Sequence, residues 1–272
     1  MNRPELITDS ADPRIDVFRD VRDRDLRGRQ GIFMAESEMV VRRLLRTPEQ
    51  LHSLLLSPAK FERMKDDLPP QVTVHVAELA MMEAIAGFHI HRGVLAAGWR
   101  PAEQDVAFQR LLERLPPTGA CTVLAASGIN NTDNMGGLFR TAAAFGVQDL
   151  VLEDGCCDPL YRKAIRVSMG HVLSVPWVRC EDLATSLASL SSCGFRITAA
   201  ESCERSVALS QVEPCERRVV VVGAEGHGLN QSVLDAADEI VEIPMAAGVP
   251  SLNVVVATGI VLAHCQSLAT RQ

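Results

Sequence analysis

The sequence predicts an α/β protein in two parts: a small α/β unit over residues 1–100 and, after a connector at 101–119, a larger domain over 120–272 built on a parallel sheet. Three observations lead there. Short apolar runs alternate with helix-like stretches along most of the chain, which is the pattern of an α/β fold. The runs beyond residue 120 are β-branched or continuously apolar, as strands buried on both faces must be. Pro101 and Pro116-Pro117-Thr118-Gly119 punctuate the stretch between the two parts.

In the first part the strand-like runs are "GIFMAE" (31–36), "LHSLLLS" (51–57), "QVTVHVA" (71–77) and "RGVLAAGW" (92–99). Helix-like segments at Ser37–Arg46, Pro58–Asp67 and Glu78–Ala86 separate them. The connector "PAEQDVAFQRLLERLPPTG" has an amphipathic middle between its prolines. In the second part the runs are "CTVLAAS" (121–127), "DLVLED" (149–154), "RITAAES" (196–202), "RVVVVGAEG" (218–226) and "EIVEIPM" (239–245). The last stretch, Ser251 to Leu268, has strand propensity in "NVVVATGIV", but its length predicts a helix. Because it is apolar nearly all round, that helix is expected to be buried in a core or between subunits.

At 272 residues and 47% hydrophobic content the chain can bury a core in each part. Its first residues carry no apolar leader segment and no run reaches membrane-spanning length, so a cytoplasmic protein is expected. Eight cysteines occur without a C-x-x-C pair or a histidine at zinc-ligand spacing, which predicts reduced, mostly buried thiols and no metal. A net charge of −7 argues against a protein that coats nucleic acid nonspecifically but allows a local basic site. Only three of the 27 basic residues are lysines (Lys60, Lys65, Lys163). The remainder are arginines, whose planar fork suits phosphate, although a codon bias gives the same composition.

Three stretches can carry chemistry. The first, "NNTDNMGGLFRTAAAFG" (Asn130–Gly146), follows a strand and reads as a helix. Met135, Leu138, Phe139, Ala142 and Ala143 form one apolar stripe, and Gly146 ends it. Arg140 falls near the opposite side, either as a solvated surface residue with Asn134 as helix cap or as a ligand contact at a strand's carboxyl end. The second, "VVVVGAEGHGL", runs a strand into Gly223, Gly226 and Gly228, with Glu225 between them. Glycines there let backbone approach a ligand. Its G-x-x-G-x-G order reverses the dinucleotide fingerprint, yet Glu242 stands near the offset at which that fingerprint places a ribose contact. The third, "IPMAAGVPSLNVVVATG", places Ser251 as an N-cap and Asn253 inside the first helical turn, where Asn needs a hydrogen bond to hold its place.

Together these stretches closely resemble the SpoU/TrmH family of RNA ribose 2′-O-methyltransferases, within the SPOUT superfamily. The resemblance covers about Cys121 to Cys265 and all three family motifs. These are N-x-G-x-x-x-R at Asn134, Gly136 and Arg140; G-x-E-G-x-G at Gly223, Glu225, Gly226 and Gly228; and I-P-M with S-L-N at Ile243–Met245 and Ser251–Asn253. "RVSMGHVLSVPWV" (166–178) is similar to the family's stretch between motifs. The first part, with "GIFMAE" and "HIHRGVLA", is similar more loosely to the ribosomal-protein-like RNA-binding domain often fused ahead of it. One position departs from the family: Val255 stands where a serine is common.

The resemblance implies a sheet whose C-terminal part threads a deep trefoil knot, a homodimer with composite active sites, and S-adenosylmethionine as cofactor. It places the cofactor against Gly223, Glu225, Gly226, Ile243, Met245, Ser251 and Leu252, with Thr198 as a further candidate. It makes Arg140 the catalytic residue, as base or as electrostatic stabiliser, with Asn134, Ser251 and Asn253 orienting it and the ribose and Glu225 as the counter-charge or hydrogen-bond anchor of that set. A guanidinium stays protonated at neutral pH, so Arg140 can pin a phosphate and stabilise a developing alkoxide without acting as a base.

The RNA, ribosomal or transfer, is expected to meet Arg140 and the patch Arg162, Lys163 and Arg166. The N-terminal arginines 19, 22, 24, 27 and 29 alternate with Asp16, Asp20, Asp23 and Asp25 and read as a self-neutralised face. Two other readings stay open at this level: an NAD(P)-binding α/β oxidoreductase and a non-catalytic RNA-binding relative.

Overall fold

The computed structural model describes residues 4–21, 31–90 and 92–269. The chain divides into two units, one of residues 1–101 with 159–174 and the other of 102–158 with 175–272.

The first unit holds strands β1 (Glu5–Leu6), β2 (Ile32–Glu36), β3 (Leu51–Leu56), β4 (Thr73–Val76) and β5 (Val94–Trp99). They form a mixed sheet in the order β1-β4-β3-β5-β2, antiparallel where β5 meets β3 and β2. Helices α1 (Glu38–Leu44), α2 (Pro58–Met64) and α3 (Leu79–Ala86) connect the strands at the predicted places. Phe18, Leu55, Met82 and Ile90 are central to the core. The two-residue β1 carries too little pattern to be read from sequence.

The second unit starts with the connector, which is part of its core rather than a bare linker. Helix α4 (Phe108–Arg114) buries Leu111 completely, and Arg114 pairs with the buried Asp149. Strands β6 (Cys121–Ala126), β7 (Asp149–Glu153), β8 (Trp177–Cys180), β9 (Arg196–Ala200), β10 (Val207–Ala208), β11 (Arg217–Val222) and β12 (Glu239–Glu242) follow, all paired in parallel in the order β10-β12-β9-β11-β6-β7-β8. The five predicted runs are the five inner strands. The two edge strands, β8 and β10, were not foreseen, because four and two residues that are only half covered leave no continuous apolar run.

The helices are α5 (Thr132–Ala144), α6 (Arg162–Val167), α7 (Leu183–Ser192), α8 (Gln231–Asp235) and α9 (Val254–Ala269). Of these, α6 lies in the 159–174 excursion and packs on β2 as part of the first unit. Within that unit Ala164 and Ile165 are fully buried, and Gly170 sits against the backbone of Val40. No helix among the described residues is long and apolar enough to cross a membrane.

Candidate active site

Strands β6 and β11 lie side by side in the middle of the second unit's sheet. From β6 the chain proceeds outward to β7 and β8 on one side, while β9, β12 and β10 lie on the other. This reversal of strand order is a topological switch point, and α/β sheets bind ligands in the crevice outside the carboxyl ends of the strands at such a point.

Helix α5 leaves β6 into that crevice. Its cap is Asn131, whose side chain accepts the N–H of Asp133 at 2.7 Å. The cap expected at Asn134 is therefore displaced by three residues, leaving the Asn134 side chain for other work. Met135, Leu138, Phe139 and Ala142 are fully buried, as the stripe requires, and Arg140 is exposed. The helix ends at Gly146, which adopts φ +60° while Val147 N–H returns to Ala142 O at 2.9 Å.

The glycine stretch after β11 forms a closed turn. Gly228 N–H bonds Ala224 O at 3.0 Å, and a Cβ on Gly223 would stand 2.5 Å from the Gly228 carbonyl carbon, so only glycine fits at the turn's base. Gly226 and Gly228 both have positive φ. Glu225 is held at the exposed tip.

Glu225 joins the three stretches. One of its oxygens, Oε1, accepts Asn134 Nδ2 at 2.9 Å, Asn253 Nδ2 at 2.7 Å and, at 3.4 Å, the backbone N–H of Val254. Asn253 Nδ2 also donates to Asn134 Oδ1 at 2.9 Å. The other end of the Asn253 side chain accepts Val255 N–H at 3.0 Å, which makes Asn253 the cap of α9. Ser251, the expected cap, stands exposed two residues before the cap position, because the helix begins at Val254. Val255 turns toward α5: a Cβ on Gly137 would lie 2.6 Å from its methyl carbon. The residue that departs from the family thus occupies a helix–helix contact.

Of the other candidates, Ile243 and Met245 lie half-buried just beyond β12, Leu252 is half-buried before α9, and Gly226 is exposed in the turn. Thr198 is placed differently. It is fully buried within β9, where its hydroxyl donates to Glu239 and accepts from the buried Arg218, so that hydroxyl is occupied by an ion-pair network. Glu242, the possible ribose contact of the dinucleotide reading, accepts Ser202 at 3.0 Å and Ser206 at 2.8 Å.

Arg162 also differs from expectation. Within the first unit its guanidinium covers the Phe88 ring at 3.7 Å and lies 3.8 Å from the buried Glu36, so it holds α6 in place, while Lys163 and Arg166 on the same helix are exposed. Arg19 pairs with Asp16 at 3.0 Å. Arg22, Arg24, Arg27 and Arg29, with Asp23 and Asp25, fall outside the described residues.

One residue of the crevice carries no motif. Glu201, the first residue beyond β9, accepts Leu229 N–H at 2.8 Å at the end of the glycine turn. The only trace it leaves in the sequence is the glycine at 228, which must lack a side chain to lie against it.

The family model for SpoU rRNA methylases matches residues 122–263. The chain belongs to the SpoU rRNA methylase family. An uncharacterized tRNA/rRNA methyltransferase of Mycobacterium tuberculosis is 38% identical over 263 residues, covering 93% of this chain and 88% of that one. Among solved structures, an AdoMet-bound rRNA methyltransferase from Sinorhizobium meliloti shares the fold with TM-score 0.81 at 20% identity, covering 97% of each chain. The SpoU methyltransferase AviRb from Streptomyces viridochromogenes, also solved with AdoMet, shares it with TM-score 0.77 at 18% identity, covering 96% of this chain and 100% of that one. Membership of this family replaces the dinucleotide reading of the glycine turn.

Proposed function

We propose that this SpoU-family chain transfers the methyl group of S-adenosylmethionine to a ribose 2′-hydroxyl of ribosomal or transfer RNA. The observation that carries the reading is the convergence of Asn134 and Asn253 on Glu225 at the sheet's switch point, with Arg140 exposed on the helix that bears Asn134.

The crevice suits the cofactor. Gly223 and Gly228 keep main chain free of side chains where a Cβ would close the turn, and Ala246, Ala247 and Gly248 form an exposed small-residue loop. Half-buried Ile243, Met245 and Leu252 offer apolar surface for an adenine, and Gly226 and Ser251 offer polar groups. When bound, the cofactor supplies an electrophilic sulfonium methyl. Arg140 pins the RNA phosphate and stabilises negative charge on the 2′ oxygen as its proton passes to solvent water, a role that needs no deprotonated guanidinium. Asn134 and Asn253, fixed by Glu225, orient the ribose.

We read the end of the domain as the family's trefoil knot. The reading is supported by β11 lying between β6 and β9, and by α9 returning from β12 to pack on α5. A homodimer is supported by the apolar residues α9 and its approach leave uncovered: Val249 is 47% exposed, Val256 51% and Ile260 38%. Lys163 and Arg166 join Arg140 as RNA contacts, and residues 1–100 act as an RNA-binding unit. Eight free thiols fit a reducing cytoplasm.

Calorimetry with S-adenosylmethionine and mapping of 2′-O-methyl sites in ribosomal and transfer RNA from a deletion strain test the proposal. Binding together with loss of one site is expected. Absence of binding, with no site lost, refutes it.

A further inference from the structure

The glycine turn is held from below by a residue that belongs to none of the three motifs. Glu201 has its own backbone fixed first, by its N–H on Val241 O at 3.0 Å in the neighbouring strand. Its carboxylate then reaches the far end of the turn and accepts Leu229 N–H through Oε2 at 2.8 Å. The same carboxylate lies against the α-carbon of Gly228: a Cβ there would be 2.3 Å from Oε2 and 2.9 Å from Oε1. Gly228 in turn rests on Gly223, so the two ends of the turn meet each other on one side and Glu201 on the other.

We propose that Glu201 is a positioning residue for the cofactor site: it clamps the Gly223–Gly228 turn and thereby fixes Glu225, which orients Asn134 and Asn253. The proposal rests on the methyltransferase reading for what the turn binds, but not for how the turn is held. A turn of six residues with two positive-φ glycines has few side chains of its own to restrain it, and glycine backbone loses the most freedom on ordering. A charge-assisted hydrogen bond from outside the turn offsets that loss. Among the described residues the side chain of Glu201 bonds to Leu229 N–H while Asn134 and Asn253 bond to Glu225, so its effect on them passes through the turn.

The test uses the full-length protein with Glu201→Ala and Glu201→Gln, the amide oxygen of Gln being able to accept Leu229 N–H. The first readout is calorimetric affinity for S-adenosylmethionine. Glu201→Ala should bind about tenfold more weakly, the size of one lost hydrogen bond to a charged group, and Glu201→Gln should recover to within about threefold of the parent. The second readout is hydrogen exchange at the Leu229 amide, which should accelerate in the Ala variant and stay protected in the Gln variant. An Ala variant that binds like the parent, or a Gln variant that fails as badly as Ala, overturns the proposal. If the parent itself binds no S-adenosylmethionine, the methyltransferase reading falls, and exchange at Leu229 alone decides whether Glu201 clamps the turn.

Discussion

Glu225 and Asn253 meet at 2.7 Å across 28 residues of sequence, and the contact does two things at once. The Asn253 amide nitrogen donates to the carboxylate while its oxygen caps α9 through Val255 N–H. Asn253→Ala should therefore lower stability by about 1 kcal/mol as a lost N-cap as well as slow methyl transfer. Ser251→Ala, outside the helix, should leave stability unchanged. Chemical denaturation of the two variants separates them, and equal losses would return the cap to Ser251.

Arg140 is expected to act as a fixed cation. Arg140→Ala should bind S-adenosylmethionine like the parent while turnover falls by about 10²–10³, the usual loss for one electrostatic stabiliser. Arg140→Lys keeps a charge and should retain part of the rate with an unchanged pH profile. A profile that shifts on Lys substitution would instead make residue 140 the base.

Where α5 crosses α9, Gly137 has no room for a methyl group beside Val255. Gly137→Ala should gain about 1 kcal/mol of helix propensity but meet an overpacking cost of about 1–3 kcal/mol, so the net effect is a loss. With Val255→Ala in the background the obstruction is gone and the same substitution should stabilise. Equilibrium unfolding of the four proteins gives the coupling directly.

In the first unit Glu38 faces three cations, with Lys60 at 2.8 Å, Arg42 at 3.1 Å and Arg63 at 3.2 Å. The Lys60 hydrogen bond, reinforced by Arg42 and the charge of Arg63, outweighs burial and holds the Glu38 carboxyl below its ordinary value of 4.5. A depressed folded-state pKa adds stability that is complete above the unfolded value and lost as pH falls through the folded one. The melting temperature of Glu38→Gln should accordingly lie below the parent's at pH 7, and the gap should close on acidification below about pH 4.5. A gap that is constant with pH would mean the ion pairs contribute nothing.

Much of this arrangement is legible in the sequence, for reasons that differ by residue. The stripe from Met135 to Ala142 appears because helix burial repeats every three to four residues, and the inner strands appear because burial on both faces leaves unbroken apolar runs. The meeting of Asn134, Glu225 and Asn253 follows from no spacing, since it depends on which strands become neighbours; the family motifs supplied it. The bonds of the Thr198 hydroxyl to Glu239 and Arg218 are not legible, because a hydroxyl in a strand gives no sign of which ion pair it will join. The contact of Arg162 with Phe88 is not legible either, because a charge in a basic run looks solvent-facing until the ring beneath it is known. Glu201 was missed because its partners are backbone atoms, which leave no letter in the sequence.

The excursion at 159–174 has a consequence for how this protein can be divided. Three chain crossings, after Pro101, Asp158 and Ser174, join the two units. No single cut separates them: a fragment starting at residue 102 would still carry Ala164 and Ile165 of α6, stripped of the β2 strand on which that helix packs. The first unit is thus not a detachable module that recombination could exchange at one joint. Exchange of the first unit between relatives would have to carry two stretches of chain, 1–101 and 159–174, together.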